Sequence, residues 1–102
     1  MEDVMYIVRD LFRCKPGKAG EVAQKFKAAF AADQGNGGMR NPKVMVDMVS
    51  SYWTVVIESE VDNLAKYEKE IEEYRSRAGM QESLKGYMEL VEGGQREIYR
   101  VL

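Results

Sequence analysis

Five charged residues interrupt segments that are otherwise rich in β-branched and aromatic residues: Arg9, Asp10, Asp47, Glu58 and Arg100. A charged group is costly to bury unless it is paired. These residues therefore either lie at strand ends and edges, pair with one another or across a subunit interface, or line a cavity and orient a polar group of a ligand. Arg9 and Asp47 are our candidate pocket-lining residues in this set, and either could stabilise charge on a bound substrate.

Aromatic side chains supply the other candidate site residues. Trp53, Tyr67 and Tyr74 could wall an apolar pocket between helices and sheet, together with Phe26 and Phe30, in the usual position for a small ligand. Tyr67 adds a hydroxyl group that could also stabilise charge on a substrate. The alternative is that these side chains fill the core, where aromatic residues dominate in a chain of this size.

The chain contains no histidine and one cysteine. The lack of histidine removes Ser-His-Asp and Cys-His nucleophiles, zinc sites of the HExxH type and the commonest general base near neutral pH. One cysteine without histidine leaves no ordinary zinc or copper site, and the glutamates between residues 68 and 73 are spread around a helix. The sequence therefore predicts no metal and no cofactor, and it identifies no catalytic residue.

Two local features have both a functional and a structural interpretation. Arg13 and Lys15 flank Cys14 and could lower its pKa enough to make the thiol reactive, or the thiol could be a small packing residue. Residues 35–40 contain three glycines and Arg40. They could bind an anion or form a lid over a pocket, or they could be a flexible connector.

Length and composition limit the classes of protein to which this chain can belong. The 102 residues leave room for one domain, which we expect to span residues 1–102. The net charge of −2 gives no basic footprint for nucleic acid. No apolar run is long enough to span a membrane, the acidic start is unlike a secretory signal, and a single cysteine suits a reducing compartment. We expect a cytoplasmic protein that binds neither nucleic acid nor membranes.

Hydrophobic periodicity predicts the order strand, helix, strand, strand, helix, short helix, strand. The predicted strands are residues 4–13, 43–50, 52–60 and 96–102. The predicted helices are residues 18–33, a second helix that residue 62 or 63 caps and that reaches residue 77 or 78 before Gly79 ends it, and residues 81–91. A loop is predicted over 34–42, with turns at 50–51 and 93–94. Right-handed crossovers place both long helices on one face of a four-stranded sheet. This is an α+β fold of the ferredoxin-like β-α-β-β-α-β type, with an extra short helix before the last strand.

Both faces of the predicted sheet are apolar. In the first strand Tyr6, Val8 and Phe12 point one way, whereas Ile7 and Leu11 point the other, and the next two strands show the same pattern. The helices cover one face, and the other would expose more apolar surface than a monomer usually tolerates. We expect a second copy of the chain to pack against it with two-fold symmetry. The alternative is that the short helix folds over this face.

With this layout the chain resembles the dimeric α+β barrel superfamily, which includes antibiotic-biosynthesis-monooxygenase-like and NIPSNAP-like domains. The resemblance is carried by residues 12–18, Phe-Arg-Cys-Lys-Pro-Gly-Lys, by an aromatic helix stripe, and by residues 94–99, Gly-Gln-Arg-Glu-Ile-Tyr. The Pro-Gly turn also resembles the start of an ACT-type regulatory domain. The extra helix over residues 81–91 favours the dimeric barrel.

The resemblance implies a broad set of functions. Members include cofactor-free oxygenases that act on aromatic substrates, haem-degrading enzymes, isomerases and stress-response proteins, and their pocket usually lies between sheet and helices. The haem-degrading branch uses a histidine ligand, which this chain lacks. We expect either a homodimeric, cofactor-independent monooxygenase-like enzyme acting on an aromatic or apolar small molecule, or a non-catalytic homodimeric module that binds a ligand or partner. An enclosed cavity with a polar group would favour the enzyme, and a solid core would exclude it.

Overall fold

A computed structural model of the protein describes residues 4–32, 39–49 and 52–102. The elements are β1 (Tyr6–Cys14), α1 (Ala19–Ala32), β2 (Arg40–Val46), β3 (Thr54–Val61), α2 (Leu64–Arg75), α3 (Ala78–Leu84), α4 (Tyr87–Leu90) and β4 (Val91–Arg100). The strands form one sheet in the order β2-β3-β1-β4, with every neighbouring pair antiparallel. The predicted ferredoxin-like α+β fold is confirmed.

The second strand begins earlier than predicted. β2 starts at Arg40, inside the segment expected to be a loop. Its register on β3 shifts between Arg40 and Lys43, and Asn41 has a φ of 50°. Because β2 is an edge strand and the shift marks a bulge, Pro42 is tolerated although it has no N–H to donate to the sheet.

The region after α2 also differs from the prediction. α2 ends at Arg75 rather than at Arg77 or Ala78, because Ser76 caps it by donating from its hydroxyl to the carbonyl of Glu73 at 2.7 Å. The predicted single helix over residues 81–91 is two short helices, separated where Gly86 adopts a φ of +84°. The predicted turn at residues 93–94 is part of β4. The turn predicted at residues 50–51 lies outside the described residues.

The helices all pack on one face of the sheet. Val8 and Val61 from the strands form one buried cluster with Ala29 of α1, Tyr74 of α2 and Met80 of α3. A second cluster joins β1 and β3 to the first half of α1 through Cys14, Ala19, Val22, Ala23, Phe26, Val55 and Ile57. The idea that the short helix covers the opposite face is therefore wrong, because α3 lies on the same side as α1 and α2.

The opposite face of the sheet, which we call the outer face, carries the alternate side chains of each strand. The strand registers assign to it Ile7, Arg9 and Leu11 of β1, Met45 of β2, Val56 and Glu58 of β3, and Glu97 and Tyr99 of β4. Arg9 occupies its centre and pairs with Glu58, Nε to Oε1 at 3.4 Å, and with Glu97, Nη1 to Oε1 at 4.0 Å. Lys43, Glu60 and Gln95 lie on this face as well, so it is a mixed surface in which apolar side chains surround a central ion pair and charged side chains lie further out.

Candidate functional site

A cavity of about 760 Å³ lies between the sheet and the helices. The sheet forms its floor through Asp10 and Phe12 of β1, Ile57 of β3 and residues 93–96 of β4, and all four helices contribute to its walls. Most of the wall is apolar. The main apolar contributors are Phe12, Phe26, Phe30, Met39, Ile57, Ile71, Tyr74, Met80, Leu84, Tyr87 and Val91.

Stacked rings organise the apolar part of the cavity. Phe12 of β1 and Phe26 of α1 have ring centroids 5.0 Å apart, and the ring of Tyr87 meets Phe26 edge-on at 5.2 Å. Such pairs stabilise a fixed arrangement beyond what burial alone provides. Phe30 stacks on Tyr74 at 6.4 Å. The Tyr74 hydroxyl donates to the carbonyl of Ala29 at 3.3 Å, which ties α2 to α1 beside the cavity.

The charged groups of the cavity wall are an ion pair and one further arginine. Asp10 of β1 lies directly opposite Arg96 of β4, and the Nε of Arg96 donates to the Asp10 carboxylate at 2.6 Å. This hydrogen bond raises the pKa of the Arg96 guanidinium, and partial burial opposes that rise. Arg75, at the end of α2, also lines the cavity. We call Asp10, Tyr67, Arg75 and Arg96 the polar end of the cavity.

Tyr67 is the hydrogen-bonding group of α2 at the polar end. Its side chain is buried, and burial raises the pKa of the hydroxyl. The negative charge of Asp10 adds to the rise, whereas Arg96 and Arg75 act against it. Because all three charges affect this hydroxyl, they lie near it. At neutral pH Tyr67 is therefore a neutral hydroxyl able to donate a hydrogen bond.

Two of the five predicted pocket-lining residues lie in the cavity wall. These are Tyr67 and Tyr74, which are on the buried stripe of α2. Arg9 lies instead on the outer face, where it pairs with Glu58 and Glu97. Because side chains alternate along a strand, Arg9 and its neighbour Asp10 must point to opposite faces, and Asp10 is the one that reaches the cavity.

Asp47 and Trp53 lie at the β2–β3 connection, away from the cavity. The Asp47 carboxylate accepts from the backbone N–H of Val49 at 2.8 Å. Trp53 was expected in a strand, but it sits in a turn with a φ of 59° and remains 44% exposed. Both residues shape this connection and do not line the cavity.

Arg75 and Arg96 were missed as candidates. Arg75 follows Ile71 by four residues and Tyr67 by eight, so helical spacing places it on the cavity side of α2, and that spacing was the available signal. Arg96 could be found only by aligning β4 with β1, and that register depends on Gly93 and Gly94 belonging to the strand. The alternation of Val8, Asp10 and Phe12 was the available signal for Asp10.

Other candidate chemistry has less support. Cys14 is buried, burial raises its pKa, and its thiol approaches the carbonyl of Phe12 at 3.6 Å, so the thiol is a packing residue rather than an activated nucleophile. Among the described residues no group of three or more Cys, Asp or Glu side chains could hold a metal ion. The predicted lid lies outside the described residues except for Met39, which lines the cavity, and Arg40, which begins β2.

No helix in the described parts of the chain is long and apolar enough to cross a membrane.

Several solved structures are similar to this chain over nearly its full length. An uncharacterised NIPSNAP-like domain protein from Burkholderia xenovorans superposes with a TM-score of 0.83 at 19% identity, covering 99% of this chain and 88% of that one. A protein from Chloroflexus aurantiacus, assigned provisionally to the antibiotic biosynthesis monooxygenases, gives 0.71 at 13% identity, with 96% and 93% covered. The chain has the fold of these proteins.

A third similar structure comes from Bacteroides fragilis and is described as a dimeric protein of unknown function with a ferredoxin-like fold. Its TM-score is 0.69 at 21% identity, covering 95% of this chain and 96% of that one. No protein-family model matches the sequence. No curated protein matches it either. At these identities the similarity establishes the fold, and any function has to be argued from the cavity.

Proposed function

We propose that this protein binds an apolar or aromatic small molecule in the cavity between its sheet and its helices. One observation carries the proposal: a cavity of about 760 Å³ has aromatic and aliphatic walls with a few charged groups facing into it. Ligand pockets typically measure about 300–1,000 Å³ and combine apolar walls with a small number of convergent polar groups. A cavity left over from poor packing would have no reason to contain the Asp10–Arg96 pair.

We further propose that the chain acts as one domain of a homodimer, joined through the outer face. Met45, Leu11 and Ile7 are only half-buried there, and Tyr99 is 50% exposed. The buried Nε of Arg9 lies 3.4 Å from Glu58 but makes no hydrogen bond in the described part of the chain, so a partner could complete its bonding. Sheets that pack face to face bury such surfaces in a layer about 10 Å thick.

The reaction that fits this cavity best is a cofactor-independent oxygenation of an electron-rich aromatic substrate. In such a step a phenol reacts with O₂ to give a quinone and water. One oxygen atom replaces a ring hydrogen as a carbonyl oxygen, the other leaves as water, and the substrate supplies all four electrons. The similarity to a provisional antibiotic biosynthesis monooxygenase supports this choice. No metal or organic cofactor is needed, because the substrate itself is the reductant.

The polar end would stabilise the substrate in its electron-rich form. The guanidinium of Arg96 and the neutral hydroxyl of Tyr67 can both donate hydrogen bonds to an oxygen that carries negative charge. The rings of Phe12, Phe26 and Tyr87 would hold the flat part of the molecule and exclude water. The chain would thus position the substrate and stabilise charge, while O₂ performs the oxidation.

The alternative is a non-catalytic homodimeric module that binds a ligand or partner. It is favoured by the lack of a good base at the polar end: Asp10 is already paired with Arg96, and Tyr67 holds its proton more tightly than an ordinary tyrosine. Without a base, a substrate would have to arrive as the anion. Both functions require the same binding site and differ only in whether bound substrate reacts.

A cavity-filling substitution tests the binding proposal. Ile71→Trp puts a large ring into the cavity from α2, and Glu72→Trp, one residue further along, adds the same ring on the exposed side of the helix. Binding of 2-naphthamide, measured by calorimetry, should be lost in Ile71→Trp and retained in Glu72→Trp. Equal binding by the two variants, or no binding by the unmodified protein, would contradict the proposal.

Oxygen uptake distinguishes the enzyme from the binding module. The protein is mixed with 1-naphthol or 2-naphthol, which need one oxygen atom from O₂ to become quinones, in air-saturated buffer, and O₂ uptake at an oxygen electrode is recorded together with quinone absorbance. The enzyme predicts uptake of one O₂ for each quinone formed, abolished by Ile71→Trp but not by Glu72→Trp. Binding without uptake above the rate in buffer would favour the non-catalytic module.

A reducing compartment such as the cytoplasm remains our expectation for this protein. The support is that Cys14 is free, buried and part of the core, where its oxidation would disrupt packing. Fractionation of the native host followed by immunodetection would test the location directly.

A further inference from the structure

We infer that the ligand carries one oxygen anion, a carboxylate or a phenolate, and that the guanidinium groups of Arg75 and Arg96 bind it at the polar end of the cavity. The inference rests on the proposed function, because it assumes that the cavity binds a small molecule. It adds the chemical class of the ligand, which the apolar walls alone do not specify.

The first argument is the charge of the cavity wall. Its formally charged lining residues are Asp10, Arg75 and Arg96, one negative and two positive, which leaves one positive charge. Arg75 is exposed, so water and salt partly screen this charge, and its attraction for an anion should depend on ionic strength. A ligand with a single negative charge would neutralise it.

The second argument is that the cations have unused hydrogen-bonding capacity. Arg75 makes no hydrogen bond or ion pair with any described residue. Arg96 uses Nε to reach Asp10, and a guanidinium has five N–H groups in a planar fork that suits oxygen anions. Donors therefore remain available on both side chains after the Asp10–Arg96 pair has formed.

The third argument is that both cations lie close to one hydroxyl group. Arg96, Arg75 and Tyr67 all line the cavity, and both cations lower the pKa of the Tyr67 hydroxyl against the stronger effect of its burial. Glu68 also influences Arg96, but it does not line the cavity. Two cations and one neutral hydroxyl thus line the same cavity and can donate hydrogen bonds to an anion there.

The geometry of β1 also limits the size of the ligand. Asp10 and Phe12 are two residues apart on the same face of the strand, which separates the polar end from the aromatic rings by about 7 Å. An acidic group attached directly to a fused ring system spans this distance. A long flexible acid would not need rings packed so close to the charge.

Three probes of similar size test the inference by calorimetry on the full chain: 2-naphthoate, 4-nitro-1-naphtholate and the uncharged 2-naphthamide. We expect at least one anion to bind about fivefold or more tightly than the amide. The anionic probe whose affinity exceeds that of the amide by the larger factor identifies the bound group as a carboxylate or a phenolate. The preference should shrink as salt is added, because part of it is electrostatic.

Substitutions should move this preference in opposite directions. Arg75→Gln removes the uncompensated charge from an exposed position and should abolish most of the preference. Asp10→Asn frees Arg96 and leaves two positive charges, so it should increase the preference. Arg100→Gln is the control, because it removes a cation from the same strand as Arg96 but outside the cavity wall.

The outcomes separate this inference from the proposed function. If all three probes bind alike, or if Arg75→Gln leaves the preference unchanged, the anion assignment is wrong and the apolar binding site stands. If none of the probes binds, both are wrong. Arg75 is exposed, so its substitution is not expected to unfold the protein, and the result with this variant is decisive even if Asp10→Asn is unstable.

Discussion

Tyr67 links the electrostatics of the cavity to the stability of the protein. Its hydroxyl is buried beside the carboxylate of Asp10, and both effects favour the neutral form. In the unfolded chain the same hydroxyl would ionise near the ordinary tyrosine value of about 10. The folded protein therefore holds this proton more tightly than the unfolded chain does.

The pH dependence of stability should report this difference. A group whose pKa is raised by folding contributes stability that is fully present below its unfolded pKa and is lost as pH rises through its folded pKa. The free energy of unfolding of the unmodified protein should thus fall faster than that of Tyr67→Phe as pH rises above about 10. Urea titrations of both proteins at a series of pH values measure this. Parallel curves for the two proteins would show that Tyr67 ionises normally.

Tyr74 is the other tyrosine whose hydroxyl matters for the fold. It is fully buried and donates to the carbonyl of Ala29 at 3.3 Å. Tyr74→Phe keeps the ring that stacks on Phe30 and removes the hydroxyl that makes this bond, so it should lower the free energy of unfolding by about 1 kcal/mol. Tyr52→Phe, at a side chain 87% exposed, is the control and should have no measurable effect. Equal urea midpoints for the two variants would mean that the bond contributes nothing.

At the scale of elements, β4 must approach β1 closely enough to bring Arg96 to Asp10. Phe12 of β1 lies opposite Gly94 of β4, and the register shifts just beyond it, between Arg13 and Cys14. A Cβ on Gly94 would lie 2.2 Å from the carbonyl oxygen of Leu11, which is rigid backbone. A Cβ on Gly93 would meet only the tip of the Arg13 side chain, at 2.7 Å, and that side chain can move.

The two adjacent glycines should therefore respond differently to the same substitution. Gly94→Ala forces the strands apart and should destabilise the protein by about 2–3 kcal/mol. Gly93→Ala should change stability by no more than about 0.5 kcal/mol, because Arg13 can adopt another rotamer. Thermal and urea unfolding of the two variants give the comparison. Similar losses at both positions would show that the close approach of the strands is not what requires glycine.

The sequence predicted the elements well where a hydrophobic period extended over many residues. It predicted them poorly where a pair of glycines could indicate either a turn or a close approach of two strands. The stripe of Tyr67 and Tyr74 identified the buried face of α2 and with it two cavity residues. Gly93 and Gly94 were expected to form a turn, but they lie in a strand because β1 approaches closely there. That error hid the pairing of Arg96 with Asp10. Alternation along β1 could have shown that Asp10 rather than Arg9 faces the cavity, but the partner of Asp10 followed only from the register.

For the whole molecule, the question raised by the outer face is whether a second copy of the chain covers it. All the described helices lie on the other side of the sheet, so nothing in the described structure covers the outer face with a second layer. Its centre is the pair of Arg9 with Glu58, and its rim includes Tyr99, which is 50% exposed. Charged groups of both signs among apolar side chains suit a self-complementary interface, because a two-fold axis brings the same ion pairs together from both copies.

Two neighbouring residues of β4 offer a matched test of this interface. Tyr99 is on the outer face opposite Ile7, whereas Ile98 lies opposite Val8 on the helix side, and they are 50% and 47% exposed. Tyr99→Lys places an unpaired charge in the proposed interface and should weaken dimerisation about tenfold or more, since leaving a buried charge unpaired costs at least 1–2 kcal/mol. Ile98→Lys makes a similar change on the other face and should leave the dimer intact. Sedimentation velocity over a range of protein concentrations measures both, and a monomeric unmodified protein or equal behaviour of the variants would place any dimer contact elsewhere.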